Sequence, residues 1–328
     1  MWYIHTITKY VVKWKGAPEA LDGGIVVSSL APAPASSRDE AVLRSGSGWQ
    51  AFKETLRSSP QLWIGSTAVL LIAAFCFLGP LFWTPNPFST DVSVFLQPPS
   101  WAHPFGTDPL GRDELSRVML GGQVLMVLAL VAAAVTTVLG MLCGLAAAWW
   151  GGAVDAALTW LGDVVFGIPQ LVPLVLIMDT LSPNGYTTAA VIAATSWPAV
   201  ARLVRAVALS MREREYITAA RALGASDGRV LFRHLLPNLW TTVVVAGGLQ
   251  VGQALILVAL AGYVGAGLPP SIPTWGQMIA NSASYVLSGY WWLVLPSGLA
   301  FALLEIAVNL VAEGLRQVLM RHPDTGVS

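Results

Sequence analysis

Residues 122–149 read GQVLMVLALVAAAVTTVLGMLCGLAAAW, without one charged side chain. About 20 apolar residues in helical rise cross the hydrocarbon of a bilayer, so this run predicts a transmembrane helix. Moving outward, five further apolar runs predict spans over 62–83, 154–178, 187–209, 239–261 and 292–315. The first stops at Pro85 and Pro87, and the fourth carries Pro198, which predicts a kink. Trp150-Gly151-Gly152 leaves room only for a tight turn between the second and third. The expected fold is an all-α membrane protein with six transmembrane helices.

Composition agrees. The 328-residue chain is 55% hydrophobic and 11% charged, against about 25% charged in soluble domains. Net charge is zero, so bulk electrostatics indicate no nucleic-acid partner. Cys76 and Cys143 fall inside apolar runs, where a thiol acts as a small hydrophobe. His5, His103, His234 and His322 show no ligand spacing, so no metal site is expected. The segment from Met1 to His5 lacks a signal-peptide core, and the apolar run from Leu62 reads as an uncleaved anchor. Before it, residues 1–58 form a polar tail. Its 28–48 stretch is rich in Ala, Pro, Ser and Gly, as in flexible linkers, and its 2–15 stretch suits either a membrane surface or a poorly ordered extension.

Lys and Arg accumulate on the cytoplasmic side of bilayers. With the N-terminus inside, every basic residue except Arg112 and Arg117 falls on that side. Residues 262–291 contain neither Lys nor Arg and belong outside. Six crossings return the C-terminus to the cytoplasm.

The loop between the fourth and fifth spans, residues 211–238, reads MREREYITAARALGASDGRVLFRHLLPN. Its physics is helix, turn, helix. Glu213 and Glu215 suit a positive helix start, and Ala219, Ala220 and Ala222 favour helix. Gly224 stands where a left-handed C-terminal residue is needed, and Ser226 or Asp227 can cap a second helix. That helix carries Val230, Leu231, Leu235 and Leu236 on an apolar side. A surface of Ala and Gly lets another protein approach closely, whereas a plain connector would need only a few residues.

The order Glu215, Ala219-Ala220, Gly224, Leu236-Pro237 resembles the EAA loop of ATP-binding-cassette (ABC) importer permeases. A second string, Gly106-Thr107-Asp108-Pro109-Leu110-Gly111-Arg112-Asp113-Glu114-Leu115-Ser116-Arg117, resembles the G-T-D-x-x-G-R-D-x-x-S-R signature of the C-type inner-membrane subunits that import dipeptides, oligopeptides or nickel. By itself this string reads as a helix start, with Asp108 as N-cap, Pro109 in first position, and Asp113 and Glu114 following. Asp155, Asp163 and Pro169, then Pro273-Thr274-Trp275-Gly276-Gln277-Met278, then Asn309 with Gly314-Leu315-Arg316, are similar to later family segments. The long N-terminal tail departs from the family, as do Glu313 and the Met320–Pro323 ending.

The resemblance implies a type I ABC importer permease fold in a bacterial inner membrane. Its parts would be an N-terminal tail (1–58), a first helix with external segment (59–118), a permease core (119–321) containing the coupling loop, and a short C-terminal tail (322–328). Glu215, Ala219, Ala220 and Gly224 would dock on a separate ATPase, with Pro237 setting the return into the membrane. The implied partners are a second homologous permease, two ATP-binding subunits or domains, and an extracytoplasmic solute-binding protein. ATP and Mg would be bound by the ATPase, since no Walker A string G-x-x-x-x-G-K-[ST] occurs here. The chain would be a non-catalytic half of a transmembrane pathway. The competing reading is a secondary transporter driven by an ion gradient, which would want inverted repeats and helices broken at the midplane.

Intramembrane acids are costly. Asp179 suits an interface. Asp163 either pairs with an Arg or faces a partner subunit. Glu305, with Asn309 one turn on, either lines the subunit interface or pathway or packs as a protonated carboxyl.

Overall fold

A computed structural model describes residues 59–180 and 184–320. The expected tails, 1–58 and 322–328, lie outside the described residues. The described residues form ten α-helices: α1 (Pro60–Leu78), α2 (Glu114–Trp150), α3 (Gly152–Gly167), α4 (Leu171–Thr180), α5 (Gly185–Arg212), α6 (Glu215–Ala222), α7 (Asp227–Val230), α8 (Leu236–Tyr263), α9 (Trp275–Val286) and α10 (Leu295–Met320). Five helical stretches are long and apolar enough to cross a membrane: Pro60–Leu81, Glu114–Trp150, Gly185–Arg212, Asp227–Tyr263 and Trp291–Leu319.

The third expected span is not a continuous helix. It is two helices, α3 and α4, meeting at an 87° bend. Pro169 cannot donate to the ladder and pushes Ile168 out of helical backbone (φ −98°, ψ 127°). The pair nonetheless carries the chain back across the protein, because α2 and α5 run parallel. The start of α5 meets α2 at Gly185 and Leu128, their middles meet at Val200 and Gly140, and their ends at Arg212 and Ala148. A parallel neighbour requires a return crossing between the two, and α3 with α4 supply it.

The α2–α5 seam depends on small residues. A Cβ on Gly140 would stand 2.5 Å from that of Val200, and one on Gly144 would collide with the Ala201 carbonyl. In lipid no hydrophobic force drives helices together, so close van der Waals contact through small residues does that work. Helix α5 continues through Pro198, whose ring lies against Gly162 of α3. Helix α10 packs antiparallel on α1, with Gly65 under Ala307 and Gly314 under Leu62.

Two polar ends result. At one, the Thr188 hydroxyl donates to the Gly267 carbonyl (2.7 Å). There the fully buried Trp275 donates its indole N–H to Val118 (2.8 Å), tying α9 across the start of α2. At the other end, Arg212 donates to the carbonyls of Ala148 and Trp149. It thereby satisfies orphan acceptors at the C-terminus of α2.

Candidate functional site

The residues of interest fall into three groups, beginning with the double helix that follows Arg212. Glu213 is the C-cap of α5 rather than part of a new first turn, so only Glu215 sits at the positive start of α6. Helix α6 closes with the Ala225 amide bonded to the Ala220 carbonyl (3.0 Å). That six-residue closure needs a left-handed residue before Ala225, and Gly224 provides it at φ +84°. The Ser226 hydroxyl then accepts from the Arg229 amide and caps α7. Residues Leu231–Leu235 form a π-helical turn that leads without interruption into α8. Pro237 therefore lies inside a continuous helix rather than ahead of one. Its missing N–H and its ring displace the ordinary bond to Arg233, and a wider turn absorbs the displacement.

Ile217, Val230 and Leu235 are fully buried and anchor this element to the ends of the spans. The Tyr216 ring stands 6.4 Å from that of His234. The opposite surface is open. Glu215, Ala219, Gly224 and Pro237 are exposed and Ala220 half-buried, while Leu223 is 89% and Phe232 69% exposed. A Cβ on Gly224 would meet nothing within 4 Å. The glycine is needed for its backbone conformation, and the space beside it is free.

The second group, at the other end of the molecule, is residues 103–117. The N-cap of α2 is Asp113, not Asp108. Asp113 Oδ1 accepts from the Ser116 amide (2.8 Å), the Ser116 hydroxyl (2.7 Å) and the Trp83 indole (2.9 Å). Its Oδ2 lies 2.9 Å from His103 Nδ1. Asp108 instead closes the preceding turn. It accepts from the amides of Leu110 (2.8 Å) and Arg112 (2.9 Å) and from Arg112 Nε (2.6 Å), with Arg117 Nε at 3.6 Å. Pro109 lies in that turn and not in a helix. Thr107 accepts from the Gln97 amide (2.8 Å) and donates to the Val94 carbonyl. Gly106 and Gly111 take φ of +73° and +69°. Nearby, bonds from the Ser93 hydroxyl and amide hold the Asp91 carboxyl below the usual carboxylate range. Asp108, Asp113, Glu114, Ser116 and Arg117 are all at most 5% exposed.

The third group is the intramembrane acids. Asp163 pairs with Arg202 (2.8 Å), whose guanidinium also lies over the Phe166 ring, and Asp155 pairs with Arg205 through two bonds of 2.5 and 2.6 Å. Glu305 faces Gly252 of α8: a Cβ there would stand 3.2 Å from Glu305 Oε1. Asn309 donates to Oε1 (2.7 Å), and Oε2 is buried without a partner among the described residues. The side chain of Asp179 lies outside what the structure describes. Sequence reasoning passed over a further polar set, Gln170, Ser196, Gln250 and Gln253, which lines a cavity at the α3–α4 bend. Three carboxamides inside otherwise apolar runs were the available signal.

No group of three His, Cys, Asp or Glu side chains placed to hold a metal occurs among the described residues.

Residues 136–322 match the family model described as binding-protein-dependent transport system inner membrane component. The chain belongs to that family. A putative peptide transport system permease protein of Brucella suis biovar 1 is 36% identical over 78% of this chain and 86% of its own length. The probable D,D-dipeptide transport system permease protein DdpC of Escherichia coli K12 is 33% identical over 80% of this chain and 88% of its own. A chain of the inward-facing MetNI methionine ABC transporter aligns with 60% of this chain and 96% of its own length, at 20% identity and a TM-score of 0.46. The family makes this chain a multi-pass, non-catalytic component of a bacterial inner membrane, and the permease resemblance read from its motifs is borne out.

Proposed function

We propose that this chain forms half of the transmembrane pathway of an ATP-driven importer of short peptides, and that the α6–α7 element seats in a separate ATPase. The observation that carries the docking reading is the open face of that element. Leu223 stands 89% exposed, next to Gly224 and one turn on from Ala219. Large apolar side chains in an aqueous loop mark contact surfaces, and small neighbours let a partner backbone come close. Arg212, Arg214, Arg229 and Arg233 cluster at this end, so the positive-inside rule places it in the cytoplasm, where ATP is. A second homologous permease would complete the pathway, two ATP-binding subunits or domains would hold ATP and Mg, and an extracytoplasmic binding protein would deliver solute to the other end. The relatives, a putative peptide permease and a probable D,D-dipeptide permease, favour peptides as cargo.

Nucleotide-driven motion of the ATPase would move the ends of α5 and α8 through this one lever, opening the pathway alternately to each side. Cells carrying the complete importer should lose uptake of labelled dialanine when ATP is depleted with the proton gradient held. Glu215→Lys should insert normally and uncouple ATP hydrolysis from uptake. Uptake that survives ATP depletion would show a gradient-driven carrier and overturn the proposal.

A further inference from the structure

The 87° bend between α3 and α4 borders an open cavity of about 480 Å³ against α5 and α8, within the roughly 300–1,000 Å³ typical of ligand sites. Irregular backbone at membrane depth persists only where protein buries it or where it lines a cavity. The cavity's lining mixes apolar side chains, Phe166 and Val200 among them, with the carboxamides of Gln170, Gln250 and Gln253. Gln253 Nε2 donates to Gln170 Oε1 (3.1 Å), and Gln170 Nε2 donates to Ser196 Oγ (3.4 Å). The Gln253 carbonyl oxygen has no hydrogen-bond donor among the described residues. Gln250, one turn earlier on α8, lines the same space and is 8% exposed, and its carboxamide makes no hydrogen bond among the described residues. No ionisable side chain lines the cavity among those residues.

We propose that this chamber receives the backbone amide of the peptide in transit, a reading that rests on the peptide-import function above. A peptide bond offers one N–H donor and one C=O acceptor, and a carboxamide presents the complementary pair. A carboxamide that opens into a cavity without a protein partner is free to pair with a ligand. The uncharged walls suit the part that all peptides share, and the apolar lining residues accommodate varied side chains. Contacts of this kind recognise the backbone and pass cargo differing in sequence.

The test uses the complete importer, with its binding protein and ATPases, in proteoliposomes, with labelled Ala-Lys, Ala-Ala and Ala-Glu as probes. Gln253→Glu, at an exposed position, and Gln250→Glu each place a carboxylate in the chamber. Each should raise the Ala-Lys to Ala-Glu uptake ratio at least about tenfold over the unmodified complex, as expected for a charge acting at contact distance. Gln250→Leu should lower uptake of all three without altering the ratio. A role confined to packing would change amounts but not charge selectivity. An unchanged ratio in assembled Glu variants would overturn the chamber assignment and point to the neighbouring permease as its occupant. An unmodified complex that moves none of the three would overturn the peptide-import reading itself, and this assignment with it.

Discussion

The 103–117 block and the α6–α7 element carry the two strongest motifs in the sequence, and they spend their residues in opposite ways. In the block, the acids and arginines are turned inward. Asp113 serves Ser116, Trp83 and His103 at once, and Asp108 holds Arg112 and the turn before α2. In the α6–α7 element, three buried side chains, Ile217, Val230 and Leu235, hold the element in place and the motif residues look outward. Two equally recognisable strings therefore differ in kind. One is consumed in building the end of a helix, and the other is left free for a partner.

The sharpest way to break this contrast is to remove the hub of the inward block. Asp113→Ala deletes a helix cap and strands buried donors, at a cost of about 3 kcal/mol. The purified chain in detergent should unfold at a clearly lower temperature. A variant as stable as the parent would show that the buried network is dispensable. Next comes the outward element. Leu223→Asp should change the stability of the isolated chain by under about 0.5 kcal/mol yet weaken ATPase association at least about tenfold, as hot-spot truncation does. Co-purification of the ATPase subunits with the variant measures this. Gly224→Ala should have a smaller effect. Holding a non-glycine residue at φ +84° costs roughly 1 kcal/mol, so coupling should weaken without being abolished, and hydrolysis stimulated by solute reports it.

The architecture was legible because spanning helices need long apolar runs, and five of the six runs in the sequence each mark one continuous helical stretch in the structure. The helix-turn-helix was legible for local reasons: Gly224 and Ser226 act through backbone geometry and capping within a few residues. The break in the third span was masked. Hydropathy stays high on both sides of Pro169, and a window that averages apolar character does not register an 87° turn. The choice between Asp108 and Asp113 as cap was also not local. Both precede a helical pattern, and distant partners, Trp83 and His103, decide it. The carboxamides of the chamber were hidden in the same manner. Gln170, Gln250 and Gln253 lie far apart in the chain, and only the bend brings α3, α5 and α8 around one space.

The central claim is that the exposed face of α6 is where an ATPase grips this permease. A photo-crosslinking amino acid at position 223 in the intact importer, compared with one at the fully exposed Trp101 in the segment leading to the inward block, tests it most directly. The account predicts an adduct between position 223 and a nucleotide-hydrolysing subunit, and none from position 101. An ATPase adduct from position 101, or its absence from position 223 in an actively transporting complex, would contradict it.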